Sequence, residues 1–524
     1  MRCAPETGEA SRTGRAAYAT RTRRETTSVN ANSTGSEAVP PLSQAGADSL
    51  PYVRTADPGL AAYEGRFLGE VEELPTYRPT VGCIIPAYNE AETIAGVLDS
   101  LLQQTRLPDA IHVIINNTSD DSVEIASHYA GPHTRMTPSG EQSTVIYVHD
   151  IGKNPDKKVG ALNYGYSLVE TMDYLLGVDG DTTPEPDAIE HLVDEIASDD
   201  RIGGISAIYS IDDSALDSWM AKFLIAGQRA QFSAFNMQNL LKGRNMAVLG
   251  GQFSIFSTQA LRDVLRDSHQ RTPWVNDSEV EDSLLSLQIK SAGYLTKISA
   301  RARAHVGGMD TLRSLDAQQV KWNFGAIDLM WPGQRGDTKG QPFHPNLRLR
   351  WFEHMSMVIN ITTRTLFVLL LAGSLNIHAF VFSPWWLIPP AAAVGLNFRV
   401  ARSMAFANRR DYLFAVLIVP AEAYMVIRMG HFIRAWLKFF SRQQTDNWAA
   451  QAKAERGKGI AWTYPFVAFG VMFAVFAVVW TQFLSIPLRS DILAVCWPIL
   501  GVITVLQTAW MIIKAMKRYR GFKA

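Results

Sequence analysis

The chain has 524 residues, and its 50 lysines and arginines are matched by 50 aspartates and glutamates, a formal net charge of +0. That balance excludes a bulk electrostatic drive toward nucleic acid, which needs a clustered basic excess. Apolar residues make up 47% of the chain and are concentrated in its last third, so the average composition hides a membrane region. Cys3, Cys83 and Cys496 are scattered without metal-type spacing, which argues for a reducing compartment and against a disulfide framework.

Residues 1–60 are rich in Ser, Thr, Ala, Gly and Arg and contain no continuous apolar run of the kind a secretory signal needs. They are expected to form a disordered polar tail. From about 75 onward, short apolar runs alternate with amphipathic stretches. Strands are expected at 81–85, 111–115, 144–148 and 174–178, with a helix at 90–104. Strands alternating with helices predict a mostly parallel sheet with ligands beyond the strands' carboxyl ends. The catalytic unit is placed at 61–345.

Residues 346–524 read as a membrane region. Leu366 to Phe398 lacks Asp, Glu, Lys and Arg and is interrupted by prolines, which predicts two helices at 356–380 and 384–404. Two further spans are expected at 462–488 and 492–513. Basic groups follow the second and fourth spans (Arg399, Arg402, Arg409, Arg410; Lys514, Lys517, Arg518, Arg520) and precede the third (Lys453, Arg456, Lys458). All fall on one side only if 411–440 does not cross, but lies in the interface or re-enters. Four spans are therefore expected, with five as the alternative.

The motifs that carry chemistry sit at strand ends. Tyr88 and Glu90 follow the first strand, where an aromatic ring can cover a base and a carboxylate can accept from ribose hydroxyls. Asn116 and Asn117 follow the second, with amides able to pair with a pyrimidine edge. Lys158 precedes a small-residue helix start suited to diphosphate oxygens. Asp179 and Asp181 flank a glycine at the end of an apolar strand; two buried carboxylates call for a cation, and Mg²⁺ or Mn²⁺ bridging to phosphate suits them. Glu281-Asp282 opens a helix, and Asp282 is the candidate general base, with no second carboxylate placed as nucleophile. Gln318, Lys321 and Trp322 combine polar groups with an aromatic platform for a sugar face.

Together these segments resemble the family 2 glycosyltransferases, specifically membrane-bound polysaccharide synthases such as the cellulose and hyaluronan synthases. The resemblance runs over about residues 78–330. It implies an α/β GT-A nucleotide-diphospho-sugar transferase domain followed by a C-terminal α-helical transmembrane region. It further implies nucleoside contacts at Tyr88, Glu90 and Asn116 or Asn117, a diphosphate contact at Lys158, a substrate contact at Asp179 and the metal ligand at Asp181. Gly250-Gly251-Gln252 corresponds to an acceptor floor, Asp282 to the base, and Gln318, Lys321 and Trp322 to the acceptor and diphosphate motif. Asn116 and Asn117 replace an acidic pair, Lys321 replaces an arginine, and no apolar segment of spanning length precedes the catalytic unit.

The expected activity is inverting, metal-dependent transfer from a UDP-sugar to a growing polysaccharide. The catalytic domain and C-terminus would be cytoplasmic, at a bacterial plasma membrane. Single-sugar transfer to a lipid-linked acceptor is the alternative within the enzyme class, and a non-catalytic nucleotide-sugar-binding scaffold is the alternative outside it.

Overall fold

The computed structural model describes residues 77–524 apart from 214–215, 279, 333–346, 442–452, 455–456, 458 and 518–520. The polar tail, and with it Arg456, Lys458, Arg518 and Arg520, lies outside the described residues. A nine-stranded sheet organises the first part of the described chain. Its strands are β1 (Val81–Ala87), β2 (Ala110–Ile115), β3 (Gly131–Thr137), β4 (Gly140–Asp150), β5 (Tyr174–Val178), β6 (Thr183–Pro184), β7 (Ile202–Ile211), β8 (Phe253–Ser257) and β9 (Leu295–Val306), in spatial order β3-β4-β2-β1-β5-β8-β7-β9-β6.

Every residue of β1 and of β2 is buried. That is the pattern of strands covered on both faces, and it explains why they read as continuous apolar runs rather than alternating ones. The sheet is mixed, which corrects the expectation of a mostly parallel one. β1, β2, β4 and β5 pair in parallel, as do β7 and β9, but β3–β4, β5–β8, β7–β8 and β6–β9 are antiparallel. The reason is β8: it enters between β5 and β7 in the reverse direction, a choice made by tertiary packing that no local pattern records. The β3–β4 hairpin also went unread, because β3 is largely exposed and carries no apolar stretch.

Helices cover both faces. On one side α1 (Ile94–Leu102), α2 (Ser122–Ser127) and α4 (Ala188–Ala197) bury apolar residues such as Ile94, Leu98, Ala126, Leu192 and Ile196 against the sheet. On the other side lie α3 (Lys157–Val169), α5 (Trp219–Leu241), α6 (Thr258–Ser268) and α7 (Glu281–Ser291). The expected helix at 90–104 begins later, at Ile94, because Glu90 to Thr93 form the turn that closes onto β1. α8 (Leu312–Met330) follows β9 and carries the Gln318–Trp322 motif.

The remaining helices are α9 (Arg348–Asn376), α10 (Ile388–Ser403), α11 (Arg409–Val416), α12 (Ile418–Phe440), α13 (Tyr464–Val478) and α14 (Ile486–Met516). Among the described residues, three stretches are long and apolar enough to span a bilayer: Arg350–Asn376, Ala461–Phe483 and Ile486–Met516, with mean hydropathies of 1.7, 2.0 and 2.0. The expected second span is a 3₁₀ turn, Pro384–Leu387, leading into the 16-residue α10, whose end residues Val400 and Met404 join the core beneath α3 and α5. α11 and α12 meet at an angle of 84°, so the 411–440 segment is a bent pair rather than one straight rod. The basic ends of α10 and α14 lie together: Arg399 donates to the carbonyls of Lys514 and Ala515, both at 2.6 Å.

Candidate active site

The site is built where β1, β2 and β5 end. Asn89, just past β1, has φ +54°, a left-handed turn that Asn tolerates. Its amide oxygen accepts from Ser119 N–H at 2.9 Å, which joins the β1 turn to the β2 turn. Glu90 N–H is fixed on Ser122 Oγ at 2.8 Å, and its carboxylate accepts from Thr93 Oγ1 at 2.7 Å. Glu90 then lies against Gly180, where an added Cβ would come within 2.8 Å of Glu90 Cγ. Glycine between the two aspartates thus makes room for a third carboxylate.

Burial pushes the Glu90 carboxyl up to about 7 against the pull of Thr93, with Asp181 and Asp179 raising it further. Burial pushes Asp181 up to about 6, and Asp179 adds to that shift. Asp179 accepts from Lys158 Nζ at 2.6 Å. Burial disfavours the Lys158 charge, but Asp179, Asp282 and Glu281 outweigh it and move the amine's pKa upward. One lysine therefore faces a crowd of carboxylates, an excess of negative charge that fits a divalent cation. Among the described residues no three His, Cys, Asp or Glu side chains converge as a ready-made metal cage.

Asp282 stands on the first turn of α7, and its Oδ2 accepts from Gly251 N–H at 2.9 Å. Gly251 has to be small: a Cβ there would sit 2.7 Å from Asp282 Oδ2 and 3.3 Å from Lys158 Nζ. Burial, reinforced by the neighbouring Glu281 charge, pushes the Asp282 carboxyl up to about 7, with Lys158 opposing. The loop carrying Gly251 is braced from below by Tyr209 on β7, whose buried hydroxyl donates to the Gly250 or Phe253 carbonyl at 3.1 Å and accepts from Ser206 Oγ at 2.7 Å. Gln252 ties this loop to the aspartates, since its carbonyl accepts from Asp179 N–H at 3.0 Å.

A single cavity of about 1340 Å³ brings the sequence-predicted residues together. Tyr88, Glu90, Asn116, Asn117, Lys158, Asp179, Asp181, Gln252, Glu281, Asp282, Gln318, Lys321 and Trp322 all line it, and Gly251 meets its wall through Asp282 and Lys158. The two asparagines differ. The Asn117 amide is taken up at both ends, donating to Asn154 O at 2.8 Å and accepting from Asn154 N–H at 2.9 Å. The Asn116 side chain makes no hydrogen bond to a described residue and is 3% exposed on the cavity wall. Trp322 packs near Phe232, ring centroids 6.2 Å apart.

Sequence reasoning missed Tyr209, Gly307 and the residues that α9 and α12 bring to the cavity. Gly307 lies beside Asp181 Oδ2, 3.2 Å from where its Cβ would be, and the Gly307-Gly308 pair after β9 was the available signal. Tyr209 reads as an ordinary strand residue and offered none.

Residues 83–265 match the Glycosyl transferase family 2 model. The chain carries a family 2 glycosyl transferase domain. The matched segment holds the Tyr88–Glu90, Asn116–Asn117, Lys158 and Asp179–Asp181 positions, whereas Asp282 and the Gln318–Trp322 helix lie beyond it. The expected α/β transferase domain followed by apolar helices is observed, with a mixed sheet.

Among curated proteins, the poly-beta-1,6-N-acetyl-D-glucosamine synthase of Staphylococcus aureus (strain COL) is 24% identical over 247 residues, covering 47% of this chain and 54% of the relative. That of Staphylococcus epidermidis is 23% identical over 256 residues, covering 48% and 57%. The chain thus spans about half the length of the curated relatives it matches. Among solved structures, the mannosyltransferase PcManGT from Pyrobaculum calidifontis, in complex with GDP-Man and Mn²⁺, is 18% identical. It covers 73% of this chain and 95% of its own, with a TM-score of 0.43.

Proposed function

We propose that this chain is an inverting, metal-dependent glycosyltransferase that moves a sugar from a nucleotide diphosphate donor, a UDP-sugar, to a growing saccharide at a membrane. The observation that carries the reading is Lys158. It pairs with Asp179 at the donor end, and the small profile of Gly251 brings it close to Asp282, so leaving-group and acceptor chemistry share one electrostatic unit. Asp181, with Asp179 beside it, would hold Mg²⁺ or Mn²⁺, which when bound supplies charge neutralisation for the departing diphosphate.

The protein's own residues do the rest. Tyr88 covers the base, and the free Asn116 amide pairs with its edge while Asn117 holds the loop. Glu90 accepts from the ribose. Lys158 and Lys321 meet diphosphate oxygens, and Trp322 stacks on the acceptor sugar. As the acceptor oxygen bonds to the anomeric carbon, the bond from that carbon to the diphosphate oxygen breaks and its electron pair leaves with the nucleotide. The acceptor hydroxyl proton passes to Asp282, and attack opposite the leaving group inverts the anomeric centre.

The catalytic domain and the basic helix ends are read as cytoplasmic, because the positive groups after α10 and α14 lie together. The test is incubation of membranes with a panel of labelled nucleotide-sugars, with and without Mn²⁺. Asp282→Asn is expected to lose about 10²- to 10⁴-fold in turnover while retaining donor binding by calorimetry. Turnover unchanged in that variant would remove Asp282 from the mechanism.

A further inference from the structure

The cavity continues past the reacting groups into the helices that approach the membrane, and its charge changes sign along the way. Among the described residues, the wall before α8 carries five carboxylates and two lysines, a net −3. Among the described residues, the wall from α9 onward carries Arg350, Arg428 and Lys453 against Glu353, a net +2, with Lys321 left to the diphosphate. A neutral sugar chain has no use for such an excess, and cations crowded in a partly desolvated wall are costly without an anion.

The groups are arranged as a face. Arg350, Glu353, His354 and Met357 lie on α9 at positions i, i+3, i+4 and i+7, which places them on one side of the helix. The other side of α9 exposes Phe352, Met355, Val358 and Ile359. From α12, Arg428 and Phe432 face the same space one turn apart. Arg350 is paired with Glu353 at 3.4 Å, but Arg428 makes no hydrogen bond or ion pair with any described residue. Two buried polar groups lining the cavity also lack a partner: the Gln319 amide nitrogen on α8 and His354 Nδ1 on α9, in residues 6% and 7% exposed. A wall with a surplus of cations, in a cavity that also holds an unused amide donor, suits an acceptor-rich anion.

We propose that this second end of the cavity is an anion-binding subsite for the acceptor, in which a phosphate or carboxylate docks at Arg428 and Arg350 and the rest of the molecule lies against Met357 and Phe432. The proposal rests on the transferase reading above and names the chemical class of its acceptor. Because α9 is also a candidate span, the subsite lies where a lipid phosphate headgroup would reach it. An acidic residue on a saccharide acceptor carries the same chemistry from the other direction.

The experiment uses the full chain in phosphatidylcholine nanodiscs and two matched probe pairs. One pair is a fluorescent polyprenyl monophosphate and the corresponding polyprenyl alcohol. The other is an oligosaccharide ending in a uronate and its neutral counterpart. At least one anionic probe is expected to bind tenfold or more tightly than its twin, about 1.4 kcal/mol, and the pair that shows it identifies the source of the anion. Arg428→Gln should erase the preference, and Glu353→Gln, which removes the counter-charge, should strengthen it. Equal binding within both pairs, or a preference indifferent to both substitutions, overturns the subsite. Donor titration of the wild type separates the two readings. A chain that binds nucleotide-sugar but shows no anion preference loses the subsite alone. A chain that binds no nucleotide-sugar loses the transferase reading, and the probe pairs still decide the subsite.

Discussion

At the scale of single residues, the site depends on glycines as much as on acids. Gly251 lets its own N–H reach Asp282 while leaving Lys158 beside them, and a methyl group there would overlap Asp282 Oδ2 at 2.7 Å. Gly251→Ala is therefore expected to displace Asp282, the proposed base, and lower kcat by about 10²-fold, with a change in thermal stability small enough to keep the chain folded at assay temperature. The check is a melting curve beside initial rates. The raised pKa of Asp282 gives a second expectation. A general base works only when unprotonated, so the rate should be level above about 7 and fall as pH drops through that value, roughly tenfold per unit. A pH–rate profile that stays level down to 5 would contradict this. The place of these residues at the cavity was legible in the sequence because the patterns are short-range: Asp179-Gly180-Asp181 ends an apolar strand and Glu281-Asp282 opens an apolar helix. The division of labour between Asn116 and Asn117 was not legible, since only the fold brings the Asn154 loop onto one of two adjacent amides.

At the scale of elements, the site is held by helices contributed from the far end of the chain. α8 carries Gln318, Lys321 and Trp322, and its buried Asp316 is ion-paired with Arg434 on α12, while the Arg434 guanidinium also lies 6.0 Å from the Tyr464 ring that begins α13. α5, which contributes Gln231 and Phe232 to the cavity, is fixed to α11 through Arg229. That guanidinium makes a two-pronged contact with the fully buried Asp411, at 2.9 and 2.8 Å, and also donates to the carbonyls of Ile211 and Phe406. Removing one partner leaves a buried charge uncompensated. Arg229→Gln is thus expected to destabilise the detergent-solubilised protein by about 3–5 kcal/mol, read as a lowered Tm, and the double change Arg229→Met with Asp411→Leu should recover most of the loss. The sequence marks neither pair. Their members are 182 and 118 residues apart, and nothing local distinguishes a buried arginine from a solvated one.

At the scale of the whole molecule, the catalytic sheet and the apolar helices share a cavity, so the membrane region is part of the site's wall rather than a tether. The three candidate spans present exposed apolar side chains such as Phe367, Val467, Phe473, Val502 and Leu506. The chain is accordingly expected to stay in the pellet when membranes are washed at alkaline pH and to leave it only with detergent. Release by the wash alone would show that these helices do not cross. The bent α11–α12 pair is compatible with a broken span as well as with a re-entrant segment, and α10 is shorter than the span expected in its place.

What the sequence determined by itself was the chemistry and its order along the chain: apolar strands, the acids, amides and glycines at their ends, and long uncharged runs that favour lipid. Those follow from local propensity and burial, which act over a few residues. Tertiary structure alone decided the reverse entry of β8 that made the sheet mixed, the engagement of Asn117 by the Asn154 loop, and the arrival of Arg350 and Arg428 at the far end of the cavity. Each depends on contacts between segments a hundred or more residues apart or on a side chain's share of one buried space, and no periodicity along the chain encodes either.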